Sequence, residues 1–516
     1  MNRKLDLSSL LLFTALLFGV IVRFYPAIAN GFPLNDGGMF FSMVQDLKAN
    51  GFQLPDFTTY NQADIPFAYP PFGLYVAALL SALVPDSDLA IFLYLPAFVN
   101  SLSIVAFYLF AKETLNSRLT ASLATVIFSL TSRAFLWQVM GGGVTRSFGM
   151  LFLLLMFWQA IQLFKNYQHK HLLLTILFGA GTVISHPQTA LHAALGGVLL
   201  FLFFGRSQRG VISALLVGLG VVLLSAPWWG TVLARHGLET FLSAGGTSQR
   251  ALEAYISLLR INSLEDYLTL PILALGLFGF FFVKKLAFNK FFSITWGVTA
   301  ILIDPRGGEG FLLIAFLFLA SPGLIKLSAW INQMEEDHIE IIILKRRSIG
   351  LIFGLIFFLL LGATIFDFQL INTSVKQADL DMIGWVNENV TEDKTFVLAT
   401  GREFSMTDPL QEWFPALTGQ KSLTTMQGLE WTYGEKFFPW YEQLTEFQKC
   451  SDMTCVKNWS ARNNVDYDYL IVLIPAENET GGLADSLKHL GISARASDTL
   501  NLVFESEHAM IFETKR

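Results

Sequence analysis

The residues of this chain that are best suited to chemistry lie in short polar segments between long apolar ones. The first such segment contains Asp36, in the sequence NDGG, directly before a helical pattern. A carboxylate in this position could act as a general base that takes a proton from a hydroxyl or amine acceptor. An aspartate in front of a helix is also a good N-cap, and that structural role is the alternative.

Two further polar segments each carry an arginine that could bind a phosphate. In the sequence GGGVTR, three glycines precede Arg146, so successive backbone N–H groups and one guanidinium could hold an anion. The sequence DPRGGE places Arg306 and Glu309 between two apolar runs, where ionisable groups are costly and are commonly functional. The alternatives are a flexible turn at Arg146 and an ion pair of Arg306 with Asp304 or Glu309 within the turn.

Three more polar or aromatic residues are candidates for substrate binding. His186 follows an apolar helical pattern, where it is either a proton relay or metal ligand, or a hydrogen-bonded residue at a helix end. Asp46 and Tyr69 belong to the same polar segment as Asp36, and a solvated helix face and an aromatic interface position are their alternatives. The sequence has no HExxH motif and no close His/Cys cluster, so we expect no tight zinc site. We assign no cofactor and no metal ligands. Whether the protein uses a divalent metal ion is left open.

The elements that must position these residues are membrane helices. Of the 516 residues, 53% are hydrophobic and only 15% are charged, and the mean hydropathy is +0.50. A soluble domain needs a larger charged surface, whereas a membrane span needs about 20 apolar residues. The composition therefore predicts a polytopic α-helical membrane protein. The net charge of −6 gives no indication of nucleic-acid binding.

The distribution of basic residues predicts the topology. Clusters such as Arg3-Lys4 and 345–347 belong on the cytoplasmic side by the positive-inside rule. All of them satisfy this rule if the short apolar run Pro71–Val84 is a re-entrant helix. We therefore predict about eleven transmembrane helices plus one re-entrant helix in the cell membrane, with the N-terminus in the cytoplasm and the C-terminal part outside.

Two domains are predicted, a multi-span membrane domain over residues 1–369, with a first exterior loop at 29–71, and a small exterior soluble α/β domain over 370–516. In the second domain, patterns predict helices over Gln377–Asn389, Tyr433–Phe447 and Gly482–Leu490, and strands over Lys394–Ala399, Tyr467–Ile474 and Ala509–Glu513. The two cysteines of the chain, Cys450 and Cys455, both lie there. They predict one small disulfide loop in an oxidising compartment, with two free thiols as the alternative.

The order of these features resembles the GT-C superfamily of membrane glycosyltransferases, which includes protein O-mannosyltransferases, lipid A aminoarabinose transferases and oligosaccharyltransferases. The resemblance rests on the early acid in NDG, on the helical sequence ending MVQDLKANG, and on AYPPFGLYVAALLSAL. It departs from the superfamily at Gly37, where several families have a second acid, and in lacking the oligosaccharyltransferase sequence WWDYG.

The resemblance implies transfer of a hexose or pentose from a polyprenyl-phosphate or -diphosphate donor to a glycan, lipid or protein acceptor on the exterior face. It implies that Asp36 is the catalytic residue. Arg146 and Arg306 would neutralise the leaving phosphate. This assignment rests on their predicted position and not on a matched motif.

Two other classes of function remain to be compared with an enzyme. A transporter or flippase of lipid-linked saccharide predicts charges within the spans and repeated halves. A structural or sensor protein would not need acids and arginines at one surface. The apolar runs are almost free of charge, and the candidate residues gather at one predicted face, which favours surface chemistry.

Overall fold

The structure is a computed structural model that describes residues 6–246, 264–283, 287–305, 307–335, 339–391, 393–475 and 482–515. Helices make up most of the first three-quarters of the chain. The helices described there are α1 (Leu7–Asn30), α2 (Gly38–Ala49), α3 (Phe72–Leu83), α4 (Asp88–Leu115), α5 (Arg118–Leu130), α6 (Leu136–Val139), α7 (Gly143–Asn166), α8 (His169–Val183), α9 (Pro187–Phe204), α10 (Gln208–His236), α11 (Glu239–Gly246), α12 (Leu264–Phe282), α13 (Ala287–Ile303), α14 (Gly308–Ile331), α15 (Ile339–Ile343) and α16 (Arg346–Thr373).

Seven of the described helical segments are long and apolar enough to cross a membrane, as judged by length and composition. They are α1, α4, α7, α9, α10, α14 and the segment that begins with α16. Shorter apolar helices include α3, α5 and most of α12 and α13. The predicted class, a polytopic helical membrane protein, is confirmed, and the number of about eleven spans stays a prediction.

Helix α3 has the length predicted for a re-entrant helix. Its 12 residues extend about 18 Å at 1.5 Å per residue, against about 30 Å for the hydrocarbon core of a bilayer. Its first residue, Phe72, donates a backbone hydrogen bond to the carbonyl of Ile184 (2.9 Å). A Cβ atom at Gly73 would overlap the carbonyl oxygen of Val144, so α3 packs backbone against backbone on the start of α7.

The C-terminal part is a small mixed sheet with helices around it. Its helices are α17 (Gln377–Asn389), α18 (Pro409–Thr418), α19 (Phe437–Phe447), α20 (Met453–Asn463) and α21 (Gly482–Arg495). Two short strands, β1 (Phe57–Thr58) and β2 (Ile65–Pro66), pair in the first polar segment. The sheet itself contains β3 (Thr395–Ala399), β4 (Lys421–Ser422), β5 (Tyr469–Leu473), β6 (Leu500–Glu505) and β7 (Ala509–Thr514).

The strand order is β4-β3-β5-β7-β6. Strand β3 is parallel to β4 and β5, and β7 is antiparallel to β5 and β6. The predicted helix Gln377–Asn389 has the observed bounds, and the three predicted strands correspond to β3, β5 and β7. Patterns in the sequence did not predict β6, α18 or α20. A disulfide joins Cys450 and Cys455.

The C-terminal part packs directly on the first polar segment. Buried apolar side chains of α2 and α3 form one cluster with Trp413 and Trp431. The ring of Phe32 lies edge-on to that of Trp413, with 4.9 Å between the centroids. The hydroxyl of Tyr60 donates a hydrogen bond to the carbonyl of Glu412 (2.8 Å). The sheet domain therefore covers the end of the bundle at which Asp36 lies.

Candidate active site

The centre of the site is an ion pair between Asp36 and Arg146. The guanidinium donates two parallel hydrogen bonds, from Nη1 to Oδ2 (2.8 Å) and from Nη2 to Oδ1 (2.9 Å). The backbone N–H of Gly142 donates a third bond to Oδ1 (3.0 Å). The N-cap of α2 is Gly37, which makes no side-chain cap bond. The carboxylate of Asp36 therefore does not fill the N-cap role that was its structural alternative.

Glycines allow Asp36 and Arg146 to meet, because the loops that carry these two residues are in direct backbone contact. The N–H of Gly141 donates to the carbonyl of Leu34 (2.8 Å). A Cβ atom at Gly141 would overlap the carbonyl oxygen of Asp36, and one at Gly37, whose φ is +124°, would overlap the backbone of Gly141. Since α7 begins at Gly143, its first turn presents Arg146 to the acid.

A third donor of the Arg146 guanidinium helps to fix its orientation. Its Nε donates to the carbonyl of Trp137 (2.6 Å), and the Trp137 ring centroid lies 5.7 Å from the guanidinium carbon. A planar group with three such contacts is held in one orientation. Arg146 is thus held on the Asp36 carboxylate and is not part of the flexible turn that was its alternative.

A second acid, Glu412, reaches the site from the C-terminal domain. Its side chain is buried, and Oε1 accepts hydrogen bonds from the N–H groups of Gly37 (2.9 Å) and Met39 (3.4 Å). Burial, together with the nearby charge of Asp36, raises the pKa of Glu412 to about 8. The sequence analysis missed this residue, whose only local signal is an acid inside the apolar helical sequence LQEWF.

A cavity of about 350 Å³ opens beside Arg146. Its walls come from the segment between α5 and α7, the turn between α8 and α9, and the start of α14. The lining residues are Arg133, Ala134, Trp137, Gln138, Arg146, Met150, His186, Gln188, Thr189, Gly307, Glu309, Gly310, Phe311 and Ile314. Three predicted site residues, Arg146, His186 and Glu309, therefore share one cavity.

A second arginine lies in this cavity. Arg133 pairs with Glu309 (Nη1 to Oε2, 2.6 Å), so the acid predicted to bind substrate holds a cation. The sequence analysis missed Arg133, which stands at the end of an apolar run and has no glycine motif beside it. Arg306, which the sequence analysis assigned to phosphate, lies outside the described residues.

The segment before Glu309 is fixed by Asp304. This carboxylate accepts hydrogen bonds from Gln188 Nε2 (2.8 Å) and from the N–H of Gly307 (3.0 Å), and His192 Nε2 lies 3.0 Å from it. Burial acts to raise the pKa of Asp304, but the hydrogen bonds from these groups and the coulombic effect of His192 outweigh it and lower this pKa. The cavity wall on this side is therefore built by α9 and the end of α13 together.

His186 and Tyr69 lie next to the Asp36–Arg146 pair. Nδ1 of His186 accepts from the N–H of Thr189 (3.4 Å), which is the helix-end role considered above, and burial lowers the pKa of His186 to about 3. The Tyr69 ring centroid lies 6.4 Å from that of His186, and burial raises the pKa of Tyr69 to about 12. Both side chains are therefore neutral hydrogen-bonding groups at physiological pH.

Asp46 is not brought to the cavity. Its carboxylate accepts from the hydroxyl of Thr58 (2.6 Å) and from the N–H (3.0 Å) and hydroxyl (2.7 Å) of Thr59. The side chain is buried, so it is not the solvated helix residue of the alternative interpretation either. We therefore assign Asp46 to support of the first loop instead of to substrate binding.

Within the described part of the chain, no group of three or more His, Cys, Asp or Glu side chains could hold a metal ion. Both oxygens of Asp36 are already engaged by a guanidinium. In this structure the positive charge next to this carboxylate is that of Arg146.

Comparison with solved structures finds the same architecture in membrane glycosyltransferases. ArnT from Cupriavidus metallidurans, bound to undecaprenyl phosphate, superposes with a TM-score of 0.57 and 13% identity over 96% of this chain and 97% of its own. The arabinofuranosyltransferase AftD from Mycobacteria gives 0.59 and 14%, over 100% of this chain and 41% of its own.

The oligosaccharyltransferase of Archaeoglobus fulgidus, in complex with Zn and sulfate, gives a TM-score of 0.53 and 12% identity, over 90% of this chain and 68% of its own. No protein-family model and no curated protein sequence matches the chain. The chain therefore has the fold of these membrane glycosyltransferases, and this is the fold that its resemblance to the GT-C superfamily implied.

Proposed function

We propose that this protein is a membrane glycosyltransferase that moves a sugar from a polyprenyl-phosphate-linked donor to an acceptor, with Asp36 as the catalytic base. The observation that carries the proposal is the Asp36–Arg146 pair beside a cavity. The GT-C fold supports it, and so does the lipid phosphate bound to ArnT. Following the distribution of basic residues, we place this site on the exterior face.

The cavity has the groups needed to bind the phosphate of such a donor. Arg146 and Arg133 both line it, and each is paired with a carboxylate. The donor phosphate offers two oxygens to the planar guanidinium fork, as a carboxylate does, so it can compete with the carboxylate for either arginine. Met150, Phe311 and Ile314 form an apolar part of the wall, which suits the first carbons of a lipid chain.

Competition for Arg146 would also activate the base. A carboxylate that accepts several hydrogen bonds and faces a cation is held in its charged form and is a weak base. When the guanidinium turns toward a donor phosphate, Asp36 loses two of its three N–H donors. Its affinity for a proton then rises at the moment when the donor is in place.

The chemical step is a single displacement at the anomeric carbon. The acceptor oxygen or nitrogen forms a bond to this carbon while its proton passes to Asp36. The bond between the anomeric carbon and the phosphate oxygen breaks, and its electron pair stays on the phosphate, where Arg146 and Arg133 stabilise the charge. We propose that His186, a neutral side chain in the cavity wall, and Tyr69 beside it hydrogen-bond the sugar. Arg306 keeps its proposed role in binding the phosphate.

The test is sugar transfer in membranes from a panel of radiolabelled polyprenyl-phosphate sugars. We compare the wild type with Asp36→Asn and with Asp381→Asn, which changes an exposed carboxylate of α17. We expect transfer from at least one donor, its loss in folded Asp36→Asn, and no change in Asp381→Asn. Equal transfer by wild type and Asp36→Asn would remove Asp36 from the mechanism. No transfer from any donor would count against the enzyme and favour a transporter or flippase of lipid-linked saccharide.

A further inference from the structure

We propose that Glu412 of the C-terminal domain is a positioning residue for Asp36, so that the sheet domain completes the active site instead of only covering it. This inference rests on the proposed function. It gives the C-terminal domain a defined part in the reaction, which is to hold the backbone of residues 35–39 in the conformation that directs the Asp36 carboxylate at Arg146.

The contacts on this loop come from three side chains far away in the chain. Glu412 accepts from the N–H groups of Gly37 and Met39. Trp413 Nε1 donates to the carbonyl of Asn35 (2.8 Å), and Ser374 Oγ accepts from the N–H of Asn35 (2.9 Å). The peptide groups on both sides of Asp36 are thus fixed from outside the loop.

The loop needs such support because its backbone is unusual. Asn35 has φ +54° and Gly37 has φ +124°, so positive φ values flank Asp36 on both sides. A non-glycine residue in the left-handed region is uncommon and persists when its surroundings hold it there. A Cβ atom at Gly38 would overlap the carbonyl oxygen of Glu412, so α18 also lies against the loop backbone.

Helix α18 is itself anchored to the sheet, so the loop follows the position of the C-terminal domain. Gln411 Nε2 donates to the carbonyl of Leu398 in β3 (2.9 Å), and the hydroxyl of Thr424 donates to Gln411 Oε1 (2.8 Å). The carboxylate of Asp408 caps the helix by accepting from the N–H of Leu410 (3.1 Å). A rigid connection therefore runs from β3 through α18 to the residues around Asp36.

The chemistry of Glu412 predicts which substitution rescues it. Its raised pKa, about 8, makes the protonated form predominate at neutral pH, with a carbonyl oxygen that accepts both N–H groups. The substitution Glu412→Gln would keep that acceptor in the same place, because an amide also carries a carbonyl oxygen. An alanine would leave the N–H groups of Gly37 and Met39 buried without this partner, which is costly.

The experiment compares Glu412→Ala and Glu412→Gln with Glu388→Ala, which removes an exposed carboxylate of α17. Because a shift of about 1 Å in a reacting group can cost 100-fold, we expect Glu412→Ala to lower kcat by about 100-fold. Its KM for the donor should stay within about threefold, since the cavity is unchanged. Glu412→Gln should stay within about tenfold of the wild-type kcat, and Glu388→Ala should match the wild type.

Amide hydrogen exchange gives a readout that does not depend on the donor. We expect a peptide covering residues 36–41 to exchange faster in Glu412→Ala, and at the wild-type rate in Glu412→Gln and Glu388→Ala. If the wild type transfers no sugar, the proposed function fails while this measurement still tests the contact. A second variant, Trp413→Phe, removes the bond to Asn35 together with part of a buried ring and should lower kcat by about tenfold. Wild-type kcat in a folded Glu412→Ala protein, or unchanged exchange at 36–41, would overturn the inference.

Discussion

The sharpest prediction concerns Arg146→Lys, which keeps the charge beside Asp36 and removes the planar fork. In the structure the guanidinium makes two hydrogen bonds to Asp36 (2.8 and 2.9 Å) and one to the carbonyl of Trp137 (2.6 Å). An ammonium group is a point charge on a flexible stem. It can keep one contact with Asp36, but it cannot also reach the carbonyl of Trp137.

The expected fall in kcat/KM follows from the hydrogen bonds that Arg146→Lys removes. A hydrogen bond to a charged group contributes about 1.5–3 kcal/mol and one to a neutral group about 0.5–1.5 kcal/mol. The side chains of Arg146 and Asp36 are 17% and 24% exposed, so solvent screens them only in part. In the proposed transition state the same fork faces the donor phosphate, so a lysine loses one charged bond there and the bond to the carbonyl of Trp137. Together these bonds are worth about 2–4.5 kcal/mol, and since 1.36 kcal/mol is tenfold in rate, kcat/KM should fall by about 30- to 2,000-fold.

The assay is the initial rate of sugar transfer against donor concentration, for the wild type, Arg146→Lys and Arg462→Lys. Arg462 is an exposed arginine that also pairs with a carboxylate, Glu446 (3.5 Å), so it controls for the change of residue type. We expect Arg462→Lys to match the wild type. A value of kcat/KM for Arg146→Lys within about threefold of the wild type would show that only charge matters at this position and would refute the bidentate argument.

Three other predictions follow from the site and the C-terminal domain. Arg133→Gln should raise the KM for the donor by about tenfold and change kcat less, as measured by donor titration, because one of the cations proposed to bind the phosphate is lost. The raised pKa of Glu412, about 8 against 4.5 for the free group, means that its protonated form stabilises the folded state, and that this contribution is lost as the pH rises from about 4.5 through about 8. The Tm of the wild type should therefore fall across this range by more than that of Glu412→Gln. Replacing Cys450 by Ser opens a disulfide that spans five residues and should destabilise the C-terminal domain by about 2 kcal/mol in a denaturant titration without reductant.

The membrane helices and the nature of the first loop could be predicted because their signals are local. An apolar run of about 20 residues identifies a span whatever it packs against, and the spacing of apolar residues identified the helix Gln377–Asn389 with its observed bounds. Asp36 and Arg146 could each be chosen from their neighbours in the sequence. The direct bond between them could not, because it joins residues 110 positions apart through a close approach of glycine backbones.

The two residues that the sequence analysis missed show the limit of local signals. Glu412 lies in a domain that the sequence predicts to be separate, and its role depends on a contact 375 positions away. Arg133 is a single arginine at the end of an apolar run, where a contact with lipid headgroups is an equally good interpretation. For Asp46 the local signal was misleading. Its position in the first loop predicted substrate binding, whereas its carboxylate accepts three hydrogen bonds from Thr58 and Thr59.

One charge inside the bundle bears on the choice between an enzyme and a transporter. Arg23 of α1 is fully buried, an exception to the apolar runs that the sequence analysis described as almost free of charge. In a transporter, ionisable groups at this depth line the substrate pathway. Arg23 instead donates to Asn100 (2.5 Å) and to the carbonyls of Gly19 (2.8 Å) and Ser129 (2.7 Å).

These bonds tie α1 to α4 and α5, and the guanidinium also lies 4.5 Å from the centroid of the Phe135 ring. A cation engaged with two neighbouring helices holds the bundle rigid, whereas alternating access requires parts of the bundle to move against each other. Arg23 does not line the cavity beside Arg146. The cations that do line it, Arg133 and Arg146, pair with acids at the end of the bundle that the C-terminal domain covers. Arg23 thus connects helices of the scaffold, whereas Arg133 and Arg146 line the cavity of the proposed active site.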